Sequence, residues 1–255
     1  MVAELMDFYV LVACEESQRV CTEFRKRGFN AFSCDIQEPS GGHPEWHIMQ
    51  DVIPLLNGRC SFKTMDGIEH SIDGKWDLII AHPPCTYLTN AGTRQYSFKM
   101  NTPEKVYARM ALREEAADFF MKFVNADCDR ICIENPVGYM NRKYRKPDQV
   151  IQPYWFAKDE NDTENYQLKR TCFWLKNLEP LKCNKNMKHP EPMYICEGEK
   201  CKGKKIYWCE GSRGNNGGQA SRAKARSKTF PGIAKAMAEQ WGDYIVREYY
   251  HDNAL

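Results

Sequence analysis

The chain has 255 residues, with 36 Lys/Arg against 34 Asp/Glu and a formal net charge of only +2. At ~100–200 residues per domain, this length allows one α/β domain or one domain with a small insert. Hydrophobic residues at 42% and aromatics at 12% exclude a disordered chain, and no run approaches the ~18 apolar residues that a membrane span requires.

Glu4 and Asp7 near the start, without a basic stretch before an apolar one, argue against a signal peptide and for a cytoplasmic protein. The twelve cysteines are therefore expected as free thiols, some of them metal ligands, rather than as a disulfide scaffold. Cys14, Cys34, Cys85, Cys128 and Cys132 fall in or beside strand-like apolar runs, where a thiol behaves as a small hydrophobe.

The run Phe8-Tyr9-Val10-Leu11-Val12-Ala13 reads as a strand covered on both faces. Ser17 to Arg27 has Val20, Cys21 and Phe24 at helical spacing, and Gly28 stops it. Asn30 to Ile36 is a second strand, and Trp76 to Ala81 another buried one. Thr102-Pro103-Glu104 opens a helix to about Asn125, with Val106, Met110, Ala117 and Phe120 on one face. Arg130 to Glu134 and Gln167 to Leu175 are later strands. Strands separated by helices predict a doubly wound, mostly parallel α/β sheet.

From Leu181 the texture changes. Residues 181–228 hold 12 Lys/Arg and 4 Asp/Glu, +8 over 48 residues, which leaves −6 on the remaining 207. The expected organisation is a catalytic core over 1–180, a small basic insert over 181–228, and a C-terminal helix over 229–255. That helix has Thr229 as N-cap, Pro231 near its first position and Gly242 as its stop.

The segment with the sharpest chemistry is His82-Pro83-Pro84-Cys85, delivered by the end of a buried strand, where open α/β sheets bind ligands. Two prolines restrict the loop, and the cysteine is a candidate nucleophile. Read alone, the segment fits a rigid turn with an inert thiol equally well. Ile133-Glu134-Asn135-Pro136 places a carboxylate at another strand end, and Gln167-Leu168-Lys169-Arg170-Thr171 leads into a third.

Together these segments resemble the DNA (cytosine-5)-methyltransferase family, and its small phage or prophage members most of all. Pro84-Cys85 and Ala91-Gly92 keep the spacing of the family's catalytic loop, Glu134-Asn135-Pro136 is similar to its Glu-Asn-Val signature, and Gln167-x-Lys169-x-Thr171 is similar to its Gln-x-Arg-x-Arg strand. The resemblance covers about residues 8–178 and the final helix. It implies a Rossmann-like class I methyltransferase core and methyl transfer from S-adenosylmethionine to C5 of a cytosine flipped from DNA. Cys85 would add to C6, since a thiolate is the strongest side-chain nucleophile near neutral pH. Glu134 would meet the charge that develops at N3, Asn135 would orient the loops, and Lys169 would contact O2 of the base. Thr171 stands where the family has its second arginine, and Arg170 is expected on the opposite face of the strand.

The resemblance also implies a cofactor site of Ala13, Cys14, Glu15, Glu16, Asp35, Ile36, Asp51, Val52 and Pro83. Glu15 or Glu16 would bind the ammonium group, or serve only as acids favoured at a helix N-terminus. Asp35 would grip the ribose hydroxyls and Asp51 the adenine amine. The family's glycine-rich turn is absent, because Ala13-Cys14-Glu15-Glu16-Ser17 has no glycine.

In the basic insert, Arg213, Gln219, Arg222, Lys224 and Arg226, with Thr86 from the cysteine loop, are the candidate DNA contacts. Cys183, Cys196, Cys201 and Cys209 are a candidate structural zinc set, although they contain no Cys-x2-Cys pair. The expected partner is DNA, with no membrane, and the chain is read as a monomer. Rival readings are a free nucleotide or RNA substrate, as in enzymes that attack C6 of pyrimidine nucleotides, and a non-catalytic nucleic-acid binder on the same scaffold.

Overall fold

The computed structural model describes residues 8–199, 201–207 and 226–252. Its centre is a seven-stranded sheet ordered β3-β2-β1-β6-β7-β9-β8. The strands are β1 (Tyr9–Ala13), β2 (Asn30–Asp35), β3 (His47–Met49), β6 (Leu78–Ala81), β7 (Ile131–Pro136), β8 (Gln149–Ile151) and β9 (Thr171–Lys176). Pairing is parallel from β3 through β7, while β9 runs antiparallel to both β7 and β8. This mostly parallel α/β sheet is compatible with a Rossmann-like fold.

Successive strand residues point to opposite faces, and both faces are buried. Leu11, Ala13, Phe32, Cys34, Ile79, Ala81, Ile131 and Ile133 pack under Ala117, Phe120 and Phe123 of α2 (Pro103–Val124). Val10, Val12, Ala31, Leu78, Ile80 and Cys132 pack under α1 (Arg19–Lys26) and a C-terminal helix, α3 (Pro231–Asp252). Burial on both faces explains why these strands read as unbroken apolar runs.

Several expected boundaries move. The first helix begins at Arg19, after Gln18 in a left-handed conformation, rather than at Ser17. The strand expected from Gln167 begins at Thr171, because the backbone N–H of Lys169 is held by the Gln152 side chain at 3.0 Å instead of by a neighbouring strand. Gly242 does not stop the last helix, which continues to Asp252. A Cβ there would lie 3.0 Å from the Phe29 ring, so this glycine serves close packing. The hairpin β4 (Cys60–Lys63) and β5 (Glu69–Ile72) was not anticipated, although Asp66-Gly67, with Gly67 at φ 90°, is a strong turn signal.

The expected boundary near 181 leaves the chain still docked on the core. Gln149 exchanges hydrogen bonds with the backbone of Leu181 at 2.7 and 2.8 Å, and Gln240 does so with Lys182 at 2.7 and 3.0 Å. Beyond them lies a small antiparallel hairpin, β10 (Tyr194–Ile195) and β11 (Lys205–Ile206). Among the described residues, no helix is long and apolar enough to cross a membrane.

Candidate active site

Strand order reverses beside β1, which has β2 on one side and β6 on the other. At such a switch point the carboxyl ends of the two strands open a crevice. The β1 end carries Ala13 and Cys14, and the β6 end carries His82 to Cys85. The two are joined where the His82 N–H donates to the Ala13 carbonyl at 2.9 Å.

The cysteine loop is braced from β7. Asn135, 2% exposed, donates from Nδ2 to the Pro83 carbonyl at 2.7 Å. The Cys85 carbonyl accepts from the N–H groups of Leu88 and Thr89 at 3.0 and 2.9 Å, closing a turn whose buried anchor is Leu88. Gly138 presses directly on that turn. Its missing side chain is a steric requirement, because a Cβ would overlap the Leu88 carbonyl, which also accepts from the Tyr139 N–H at 2.6 Å.

The resulting geometry brings the three sequence motifs together. Glu134 projects from β7 with its side chain 12% exposed, and His82 Nδ1 donates to its Oε2 at 3.0 Å. Burial works against the Glu134 carboxylate, but the His82 hydrogen bond and the charge of Lys169 outweigh it and hold the group below the usual carboxylate range. Cys85 is the exposed thiol among the described free cysteines. Desolvation in the crevice and the Glu134 charge push this thiol up, while Lys169 and Arg226 act in the opposite direction. Thr171 is buried, and its hydroxyl donates to the Lys169 carbonyl at 3.1 Å, so it supports the lysine from behind. Arg170 is exposed.

On the other side of the switch point, Asp35 and Asp51 converge. Both raise the thiols of Cys14 and Cys34 after burial has done so, and Cys34 is pushed up to about 12. Cys14 adopts φ 59°, supplying itself the left-handed turn for which a glycine was expected. Ile36 is 77% exposed beside Asp35, and Asp51 is exposed with Oδ1 accepting from the Ile53 N–H at 3.1 Å. Ala13, Val52 and Pro83 are buried.

Glu15 requires a correction. It is 3% exposed, and its two carboxylate oxygens accept from the N–H groups of Val20 and Cys21 at 2.7 and 3.1 Å. It therefore caps α1 and is not available as an ammonium ligand. Burial raises its carboxyl, against the influence of His82, the two N–H groups and Arg19. Glu16 is buried in the same turn at 7% exposure.

Of the expected DNA contacts, Thr86 and Arg226 are exposed, while Arg213, Gln219, Arg222 and Lys224 lie outside the described residues. Cys196 and Cys201 are joined as a disulfide beside the β10–β11 turn, Cys183 is a free thiol, and Cys209 lies outside the described residues. Among the described residues, no group of three His, Cys, Asp or Glu is placed to hold a metal ion. The other nine described cysteines are free thiols, as expected. One feature that sequence reading missed is a stack of arginines and tyrosines behind the cysteine loop. Arg109 lies over Tyr87 and Tyr96 at 5.0 and 5.4 Å, and Arg113 over Tyr96 and Tyr139 at 4.5 and 4.2 Å.

Two surface cavities, of about 310 and 750 Å³, lie elsewhere; the first is lined by Arg25, Phe32 and Trp46, the second by Trp155, Asn165 and Gly232. Compared with known proteins, the chain matches no protein-family model and no curated protein, so a functional reading rests on its own residues.

Proposed function

We propose that the protein is a methyltransferase that modifies C5 of cytosine in DNA through a covalent Cys85 adduct at C6. The observation that carries this reading is the convergence of Cys85, Glu134 and Lys169, which come from three separate segments, at the carboxyl ends of β6 and β7. A nucleophile, a carboxylate and a cation in one crevice match the needs of pyrimidine addition. The thiolate sulfur bonds to C6, the π electrons move through C5 and C4 towards N3, and N3 must be met there by a hydrogen-bonding group. Glu134 acts there as the proton carrier: it takes up the proton that the Cys85 thiol gives up on attack and passes it to N3, and it also accepts from the exocyclic amine. Lys169 favours the thiolate and stands close enough to influence both acids.

S-adenosylmethionine would supply the methyl group when bound. The residues at the β1–β3 ends fit it in part. Asp35 and Asp51 offer carboxylates for ribose hydroxyls and an amine, and exposed Ile36, next to Asp35 in the chain, offers an apolar surface. Glu15 does not fit a contact to the ammonium group.

The deciding experiment incubates the full chain with tritiated S-adenosylmethionine and unmethylated duplex DNA, with RNA and deoxycytidine monophosphate in parallel, and maps product by mass spectrometry. 5-Methylcytosine in DNA from the wild type and none from Cys85→Ala is the expected result. Label on RNA or the free nucleotide alone would move the substrate class. Transfer by Cys85→Ala would overturn the covalent mechanism, and no binding of S-adenosylmethionine at millimolar concentration would overturn the function.

A further inference from the structure

His82 stands between the two halves of the crevice. Its main chain is tied to Ala13 at the end of β1, and its ring reaches Glu134 on β7. The ring is 9% exposed, and Nε2 is a buried atom without a partner among the described residues. A buried ring nitrogen left unpaired costs ~1–3 kcal/mol, so a histidine retained for folding would be expected to use both nitrogens. The charged groups that face this ring or its partner are Glu134 from β7, Glu15 from the β1–α1 turn, and Lys169 and Cys85 around Glu134.

We propose that His82 is a positioning residue for base binding: its Nδ1 anchors Oε2 of Glu134 and leaves Oε1 as the oxygen that meets N3 and the exocyclic amine of the target cytosine. The inference rests on the methyltransferase reading for the identity of the base, but the His82–Glu134 relationship is testable without it. A free carboxylate would turn about its last bond and present either oxygen. Anchored at one oxygen, it offers a single direction, and a misplacement of ~1 Å in such a group costs on the order of 100-fold in rate. To donate this bond, His82 must carry a hydrogen on Nδ1.

The test uses three variants. Asn at this position can present its amide nitrogen near the place of Nδ1, Gln presents it near the place of Nε2, and Ala presents nothing. His82→Ala and His82→Gln are expected to lower kcat for methyl transfer to DNA by at least about tenfold with KM nearly unchanged, and His82→Asn to recover most of that loss. Thermal melting is expected to fall in His82→Ala and His82→Gln, because the buried Glu134 carboxylate loses its donor, and to recover in His82→Asn, so kcat is compared well below the melting point of each variant. Independently of activity, carbon-13 NMR follows the Glu134 carboxyl. Its titration midpoint should rise in His82→Ala and His82→Gln and return towards wild type in His82→Asn. An unmoved Glu134 midpoint in His82→Ala, or wild-type kcat in that variant, would overturn the proposal. A wild-type protein that transfers no methyl group would remove the function reading, and the NMR result would still decide whether His82 governs Glu134.

Discussion

The Asn135 amide holds the carbonyl of Pro83 across 52 positions of sequence, at 2.7 Å and out of contact with water. It is the link by which β7, which carries Glu134, controls the backbone of the loop that carries Cys85. Asn135→Ala removes the donor and leaves a buried carbonyl, a loss of ~1–3 kcal/mol. Urea unfolding should show this as a lower midpoint with unchanged slope, and methyl transfer should fall further than stability alone explains. A variant that unfolds like the wild type would show the link to be weak.

Gly138 is a second brace. Alanine there would place its Cβ against the backbone of Leu88, which cannot turn aside as a flexible side chain would. The loop must shift, and overpacking of this kind costs ~1–3 kcal/mol. Differential scanning calorimetry of Gly138→Ala should record a lower Tm, together with faster proteolysis within residues 85–97.

Cys85 should titrate above an ordinary thiol, because partial desolvation by the surrounding protein and the Glu134 charge both disfavour the thiolate. Iodoacetamide alkylation of the Cys85 peptide, followed by mass spectrometry across pH 7–10, measures the midpoint. Glu134→Gln removes the repelling charge and should lower it; Lys169→Met removes the attracting one and should raise it. Movement in the opposite sense in either variant would contradict the arrangement.

Glu134 has its pKa depressed in the folded state. A depressed carboxylate adds stability that is full above the unfolded value, ~4.3, and is lost as pH falls through the folded value. The stability difference between wild type and Glu134→Gln should therefore favour the wild type most near neutral pH and shrink below about pH 4. Urea melts of both proteins at pH 7 and pH 3.5 make the comparison. Glu15, shifted in the opposite direction, is common to both and cancels.

Asp35 and Glu15 separate a binding role from a structural one. Asp35→Ala should weaken S-adenosylmethionine binding by about tenfold or more, ~1.4 kcal/mol. Glu15→Ala should instead lose a helix cap, ~0.5–2 kcal/mol of stability, with the affinity little changed. Calorimetric titration and thermal melting on the same samples distinguish the two. Equal affinity losses would restore Glu15 to the cofactor site.

Much of the architecture was legible in local pattern. Val10-Leu11-Val12 and Ile79-Ile80 reveal doubly covered strands because every residue in them meets a buried face, and Thr102-Pro103 marks a helix start through the fixed φ of proline. Cys85, Glu134 and Lys169 could be singled out because each stands at the edge of such a strand. The β4–β5 hairpin was overlooked despite its Asp66-Gly67 turn, and the three-residue β8 is too short to carry a period. Tertiary structure alone decided the partners. Glu15 looked like a ligand until the first N–H groups of α1 claimed both its oxygens, and Gly242 looked like a helix end until Phe29 was seen packed against it. The partner of His82, 52 positions away, is set by which strand lies beside β6. Periodicity and capping act between residues a few positions apart, whereas these contacts arise from the order in which strands assemble.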